Sequence, residues 1–127
     1  MMRTQGEIEA AISQAMIRFE REYMGRGPKE IRTFLIDDLI VVRLQGVLTA
    51  AEQQLVGSVQ VEKGRDLLKQ VRTQLVETAR PVLESLILEN TGTRVVSLHH
   101  DISTRSGEEV ILFTLEESPV SREKKSR

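Results

Sequence analysis

The chain has 127 residues, a formal net charge of -1 and no cysteine, and its 18 basic side chains nearly balance its 19 acidic ones. This length is typical of one domain, the lack of cysteine excludes disulfides and thiolate metal sites, and the balanced charge gives no general attraction to nucleic acid or anionic lipid. Because the sequence holds no apolar run of about 18 residues and no signal-peptide pattern, we expect a cytoplasmic protein that does not insert into a membrane.

The first predicted element is a helix from about residue 4 to residue 24. Its apolar side chains recur about every 3.6 residues and form one stripe: Ile8, Ile12, Ala15, Met16, Phe19 and Tyr23. Thr4 and Glu7 have the spacing of a capping box at its start. Gly25 predicts its end, because glycine closes helices and Pro28 prevents continuation.

A β-hairpin is predicted next, with strands at 31–36 and 39–44 joined by an Asp-Asp turn. A two-residue turn fixes the register, so that Arg32 faces Arg43 across the strands. The same register predicts one apolar face made of the pairs Ile31 with Leu44, Thr33 with Val42, and Leu35 with Ile40. The other face is also apolar near the turn, so both faces need cover.

Two helical patterns follow the hairpin. Thr49 and Glu52 repeat the capping-box spacing and begin a short helix to about residue 56. A longer pattern runs from about residue 63 to residue 89, and Pro81 should kink or break it because proline lacks a backbone donor. The apolar band of this longer pattern is wider than one sheet can cover.

The length of the second pattern suggests self-association. A helix of about 25 residues would be about 37 Å long, which matches the diameter of about 36 Å expected for a domain of this size. We therefore predict a homodimer in which part of this helix, or the second face of the hairpin, is buried against the second copy.

A second hairpin is predicted from strands at 95–102 and 109–115, with Gly107 in its loop. The order of elements indicates an α+β fold, αββααββ, with an antiparallel sheet and helices packed on one face. We predict one domain at residues 1–117 and a disordered basic tail at residues 118–127.

Polar side chains alternate along the first strand of this second hairpin. Ser97, His99 and Asp101 share a strand face, but parallel side chains about 6.6 Å apart do not aim a hydroxyl at an imidazole, so we predict a solvated polar face and no catalytic triad. His99 and His100 point to opposite faces and cannot bind one metal ion within a chain. His100 shares its face with Leu98 and Ile102, which favours a hydrogen-bonded core histidine. We predict no catalytic residues, no metal and no cofactor.

Four basic residues form a candidate anion site. Arg32 and Arg43 repel each other if they are opposed, unless an anion or a carboxylate lies between them. Arg26 and Lys29 lie just upstream, so the four could hold phosphate, bicarbonate or an acidic partner surface. The alternative is that neighbouring glutamates neutralise these arginines.

Several segments together resemble one known family. They are GRGPKEIR at 25–32, FLIDDLIVVRL at 34–44, GVLT at 46–49, and HDIST at 100–104 with Gly107. The chain resembles the MpsC-like family from about residue 7 to residue 115. The resemblance implies a small domain associated with a cation-linked, membrane-potential-generating system related to inorganic-carbon uptake. It implies no catalytic residues.

These observations lead to two functional hypotheses. The first is a non-catalytic accessory or regulatory protein, a homodimer that binds the cytoplasmic face of a membrane cation or inorganic-carbon transporter. The alternative is a sensor that binds a small anion through its basic patch. The poor inventory of reactive motifs makes an enzyme the least favoured class.

Overall fold

The computed structural model describes residues 3–57 and 61–121, which form an α+β fold with the predicted order of elements. The helices are α1 (Gln5–Tyr23), α2 (Ala50–Val56), α3 (Val61–Thr78) and α4 (Arg80–Thr91), and the strands are β1 (Glu30–Ile36), β2 (Leu39–Gln45), β3 (Val95–Ile102) and β4 (Glu109–Leu115). Within these ranges no helix is both long enough and apolar enough to cross a membrane.

Both predicted capping boxes are confirmed. The hydroxyl of Thr4 accepts a hydrogen bond from the Glu7 backbone N–H at 3.0 Å, and the Glu7 carboxylate accepts one from the Thr4 N–H at 2.8 Å. Thr49 and Glu52 make the same pair of bonds, at 3.1 and 2.8 Å. Each box satisfies backbone donors that would otherwise lack partners at the start of a helix.

The long helical pattern is broken into two helices. Ala79 separates α3 from α4, and Pro81 lies in the first turn of α4, where a missing backbone N–H is tolerated. Gly92 closes α4 with a left-handed φ of 75°. The length argument for a homodimer therefore loses its premise, because no continuous helix of about 37 Å is formed.

The sheet has the strand order β1-β2-β4-β3 and is antiparallel throughout. The register predicted for the first hairpin is confirmed, including Leu35 opposite Ile40 and Arg32 opposite Arg43. The two hairpins join through β2 and β4, which pair Val42 with Ile111.

The helices cover one face of this sheet. Buried and more exposed residues alternate along β1, β2 and β4, and the buried ones pack with the apolar stripe of α1. The inward-facing apolar residues of the strands are Leu35, Ile40, Val42, Leu44, Ile102, Ile111, Phe113 and Leu115. The opposite face carries no helix in the described part of the chain, so only one of the two apolar faces is covered.

The predicted tail begins close to the sheet. The hydroxyl of Ser118 donates a hydrogen bond to the carbonyl of Asp37 in the β1–β2 turn, at 3.0 Å. Residues 122–127, which make up the rest of that tail, lie outside the described residues. The boundary predicted at residue 117 stays a prediction.

Candidate functional site

A buried arginine lies at the centre of the fold. Arg72 lies on α3, one turn after Leu68 and one turn before Val76. The side chains of Leu68 and Val76 are both buried in the core. Because residues four apart share a helix face, the helical period that buries Leu68 and Val76 also buries Arg72, whose side chain is 1% exposed.

Glu52 is the main partner of this arginine. Arg72 Nε donates to Glu52 Oε2 at 3.0 Å, and Nη2 donates to Glu52 Oε1 at 2.8 Å. Nη2 also donates to the carbonyl of Val47 at 3.1 Å. The bidentate pair suits the planar guanidinium, and charge-assisted bonds of this kind are about twice as strong as neutral ones.

The remaining nitrogen faces two more carboxylates at longer range. Arg72 Nη1 lies 3.9 Å from Glu20 Oε1 and 3.7 Å from Glu109 Oε2, while His100 Nε2 lies 2.7 Å from the same Glu109 oxygen. Both glutamates are almost fully buried, on α1 and β4. We call this set the buried ion cluster: Glu20, Glu52, Arg72, His100 and Glu109. Several of its atoms have no hydrogen-bond partner among the described residues: Glu20 Oε1 and Oε2, Arg72 Nη1, His100 Nδ1 and Glu109 Oε1.

Burial and charge move the pKa values of these groups in different directions. Burial, aided by repulsion from Glu109, raises the pKa of Glu20 from 4.5 to about 8, even though Arg72 opposes the shift. Burial alone would also raise the pKa of Glu52, but the hydrogen bonds from Arg72 and Thr49 outweigh it and hold that pKa below its usual value. The cluster therefore contains a carboxyl that is mostly protonated at neutral pH beside one that is ionised.

The four predicted anion-binding residues do not converge on one point. Arg32 and Arg43 line a cavity of about 350 Å³, and Lys29 lines a separate one of about 530 Å³ with Arg43. Arg26 instead donates from Nη1 to the carbonyl of Leu48 at 3.0 Å. Arg43 Nε lies 2.6 Å from the Glu108 carboxylate, so an acid lies within the basic patch.

The polar residues of β3 divide between the two sheet faces. Asp101 Oδ1 accepts a hydrogen bond from Lys69 Nζ at 2.9 Å, which lowers the pKa of Asp101, and His99 is exposed beside it on the open side of the sheet. His100 points to the covered side and is bonded to Glu109 as described above. Among residues 3–57 and 61–121, no group of three or more His, Asp or Glu side chains is arranged to hold a metal ion.

The uncovered side of the sheet forms an apolar surface with polar ends, which we call the open sheet face. Its apolar members are Phe34, Ile36, Leu39, Val41, Val110 and Leu112, and every one of them is exposed or half-buried. Arg32 and Arg43 lie at one corner, on β1 and β2. His99 and Asp101 lie across the sheet on β3.

A second apolar surface lies on α3. Leu67, Val71 and Leu75 are 46%, 45% and 39% exposed and follow one another at four-residue spacing. We call these three residues the α3 stripe. They line a shallow cavity of about 370 Å³ with Gln70, Gln74 and Thr78. The stripe accounts for the extra width of the apolar band predicted for this helix.

The sequence analysis missed the buried ion cluster, although a signal was present. Arg72 lies in phase with Leu68 and Val76, and Glu109 lies in phase with Ile111 and Phe113. A charge at a core-facing position predicts a buried ion pair, because an isolated charge is rarely buried without a partner. That signal identifies the residues but not which of them meet.

Fold and surfaces define a small α+β protein with a buried ion cluster and two exposed apolar surfaces. Residues 4–117 match the model of the family described as "Na+-translocating membrane potential-generating system (MpsC)", and the chain therefore belongs to the MpsC family. The resemblance found in the sequence is thus confirmed.

Two relatives come from Bacillus subtilis (strain 168). The uncharacterized protein YbcI is 40% identical over 115 residues, which cover 91% of this chain and 90% of the relative. The uncharacterized protein YrhF is 27% identical over 101 residues, which cover 78% and 80%. No solved structure gives a significant match to the chain.

Glu20 should make stability depend on pH. Between its ordinary pKa of 4.5 and its raised value of about 8, the native state holds a proton that the unfolded state releases. The free energy of unfolding should therefore fall by about 1.4 kcal/mol per pH unit from this group as the pH rises through that interval. Urea denaturation at a series of pH values should show this slope in the native chain and its loss in Glu20→Gln. Glu22→Gln, an exposed position on α1, is the control, and an unchanged slope in Glu20→Gln would contradict the assignment.

Arg72→Met should destabilise the fold by about 3–5 kcal/mol, because it leaves buried carboxylates without their counter-charge. Arg65→Met, which removes an exposed arginine from the same helix, should change stability by less than about 0.5 kcal/mol. The measurement is chemical denaturation, with unfolding monitored by circular dichroism. Equal, small effects of the two substitutions would show that the buried guanidinium is not needed for stability.

Proposed function

We propose that the protein is a non-catalytic accessory or regulatory subunit of a membrane cation or inorganic-carbon transport system. It acts in the cytoplasm as a homodimer and binds the cytoplasmic face of the transporter. Membership of a family described by a Na+-translocating membrane potential-generating system supports the link to transport. No helix in the described ranges could itself form a membrane-spanning path, which fits an accessory role.

The α3 stripe is the observation that carries the binding role. Three large apolar side chains lie in one row on a helix whose neighbouring face, about 100° around the axis, is held in the core by Leu68, Arg72 and Val76. Contiguous apolar surface of this kind favours association with another protein surface, because covering it removes apolar area from water. Because that neighbouring face is held in the core, the helix also presents the row without needing to rearrange.

The distribution of reactive side chains supports a non-catalytic role. Ser97, His99 and Asp101 lie along the open sheet face, and Asp101 is bonded to Lys69 and not to the imidazole. The groups with the strongest mutual interactions are inside the core and hold elements together.

Capture from membranes tests the binding role. The tagged chain is added to detergent-solubilised membranes of the organism that encodes it. It should recover subunits of a cation- or inorganic-carbon-transport system, which mass spectrometry identifies. Val71→Asp should reduce that recovery at least about tenfold, since a charge at the centre of an apolar contact is strongly unfavourable. Thr73→Asp adds the same charge on an exposed, opposite side of α3 and should leave recovery unchanged.

Two outcomes would contradict the proposal. Recovery of only the protein itself, under conditions that keep the transport system intact, would remove the transporter as the partner. Equal recovery by Val71→Asp and the unsubstituted chain would remove the α3 stripe as the binding surface.

A second candidate function is the sensing of a small anion by Arg32 and Arg43. The observation in its favour is that the two guanidiniums are direct cross-strand partners beside a cavity of about 350 Å³. Within the described residues, no side-chain hydrogen bond or ion pair holds the guanidinium of Arg32. Phosphate or bicarbonate could therefore bridge the pair, although Glu108 already neutralises Arg43.

Thermal unfolding with added anions tests this candidate. A bound anion at 100 times its dissociation constant should stabilise the fold by about 2.7 kcal/mol and raise the melting temperature. Arg32→Gln should abolish the rise, whereas Arg105→Gln, in the exposed loop between β3 and β4, should not. A melting temperature that phosphate and bicarbonate leave unchanged would eliminate this function.

A further inference from the structure

The two edges of the sheet are closed to strand addition at specific points. On β1, the N–H of Leu35 donates to Glu9 Oε2 at 2.8 Å, and its carbonyl accepts from Gln5 Nε2 at 3.0 Å. On β3, a register shift interrupts the strand near Ser97, and Asp101 Oδ1 accepts the N–H of Ile102 at 2.9 Å. Side-chain caps and bulges of this kind block pairing with another edge strand. Association through the face of the sheet is therefore favoured over association through its edges.

We propose that the open sheet face binds the same face of a second copy of this chain, with the two-fold axis parallel to the strands. This specifies the homodimer contained in the proposed function and rests on it for the existence of a dimer. Face-to-face packing of two sheets keeps their strands within about 30° of each other and buries the facing side chains. A two-fold axis along the strands reverses the strand order, so that β1 lies over the partner's β3 and β2 over the partner's β4.

The charges on the open sheet face are self-complementary under this symmetry. One row across the sheet reads Arg32, Arg43, Val110 and Asp101, from β1 to β3. Reversing the row places Arg32 over the partner's Asp101, and the symmetry repeats that contact at the opposite end. Arg32 has no other ion pair in the described chain, whereas Asp101 has only the exposed Lys69. Opposite charges at both rims fix the orientation of the two copies.

The middle of the same face is apolar under the same operation. Val41 lies over the partner's Leu112, so the centre buries apolar groups, and on the edge strands Phe34 lies over the imidazole of the partner's His99. Arg43 lies over the partner's Val110 but keeps its bond to Glu108 at 2.6 Å, so its charge is not buried alone.

The other simple orientation is disfavoured. A two-fold axis perpendicular to the strands would place Arg32 over the partner's Ile36 at both rims. A guanidinium would then be buried against a hydrocarbon without a counter-charge, which is strongly unfavourable. The charge pattern therefore selects the axis parallel to the strands.

Sedimentation equilibrium of the purified full chain tests the proposal without the transporter, so this result and the membrane capture are independent. The native chain should sediment at twice its mass of 14.4 kDa at micromolar concentration. Val41→Asp should raise the dimer dissociation constant by more than about tenfold, because Val41 lies at the apolar centre over the partner's Leu112 and is only half-buried in the single chain. Val71→Asp, on the α3 stripe, should leave the dimer intact.

Charge exchange tests the orientation. Arg32→Asp and Asp101→Arg should each weaken the dimer at least about tenfold, since each places like charges together at both rims. The double substitution should restore the dimer, and circular dichroism should show all three variants folded. A monomeric native chain, a dimer that resists Val41→Asp, or a dimer lost in Val71→Asp would each overturn the proposed face. If the double variant dimerised no more tightly than the single variants, the proposed axis would be overturned.

Discussion

The fold depends on the desolvation of one guanidinium. Removing Arg72 from water is unfavourable by several kcal/mol unless charged and polar partners replace its hydration shell. Those partners are supplied by four different parts of the chain: Glu20 on α1, Val47 after β2, Glu52 on α2, and Glu109 on β4. Because each partner is useful only when it meets the same side chain, the cluster specifies how helices and sheet are placed relative to one another. Apolar packing alone is less selective, since hydrophobic contacts have no direction.

Glu52 connects this constraint to local structure. One of its oxygens, Oε1, accepts both the Thr49 N–H at 2.8 Å in the capping box and the Arg72 Nη2 at 2.8 Å. The start of α2 and the inner side of α3 are therefore held by a single carboxylate. With the inner side of α3 fixed in this way, the α3 stripe faces away from the core at a defined position. The buried charge thus determines which apolar residues of α3 remain exposed.

Local signals were sufficient for much of this architecture. The Asp-Asp turn allows one register for the first hairpin, and the capping boxes need only residues three apart, so both could be predicted from the sequence. Contacts between distant segments could not. The pairing of β2 with β4 brings Leu44 opposite Glu109, and no local pattern encodes that choice. Without it, Glu109 cannot be placed beside Arg72, even though the phase of each residue indicates burial. The acid within the basic patch could not be predicted for the same reason, because Glu108 reaches Arg43 only through this pairing.

The chain reverses the usual arrangement of polar and apolar groups in two places. Charges lie inside, at Glu20, Arg72 and Glu109, while large apolar side chains lie outside on the open sheet face and on the α3 stripe. Neither feature is the most stable arrangement for a lone chain: a complete buried ion pair is often no better than apolar replacements, and exposed apolar rows lose the benefit of burial. Association can bury the exposed apolar rows, but it does not change the cost of the buried charges. The outward apolar surfaces therefore favour a function in binding, and the inward charges favour a function in holding those surfaces in a fixed geometry. Because the open sheet face lies on the strands and the α3 stripe lies on a helix, the two proposed contacts would use separate surfaces and would not compete.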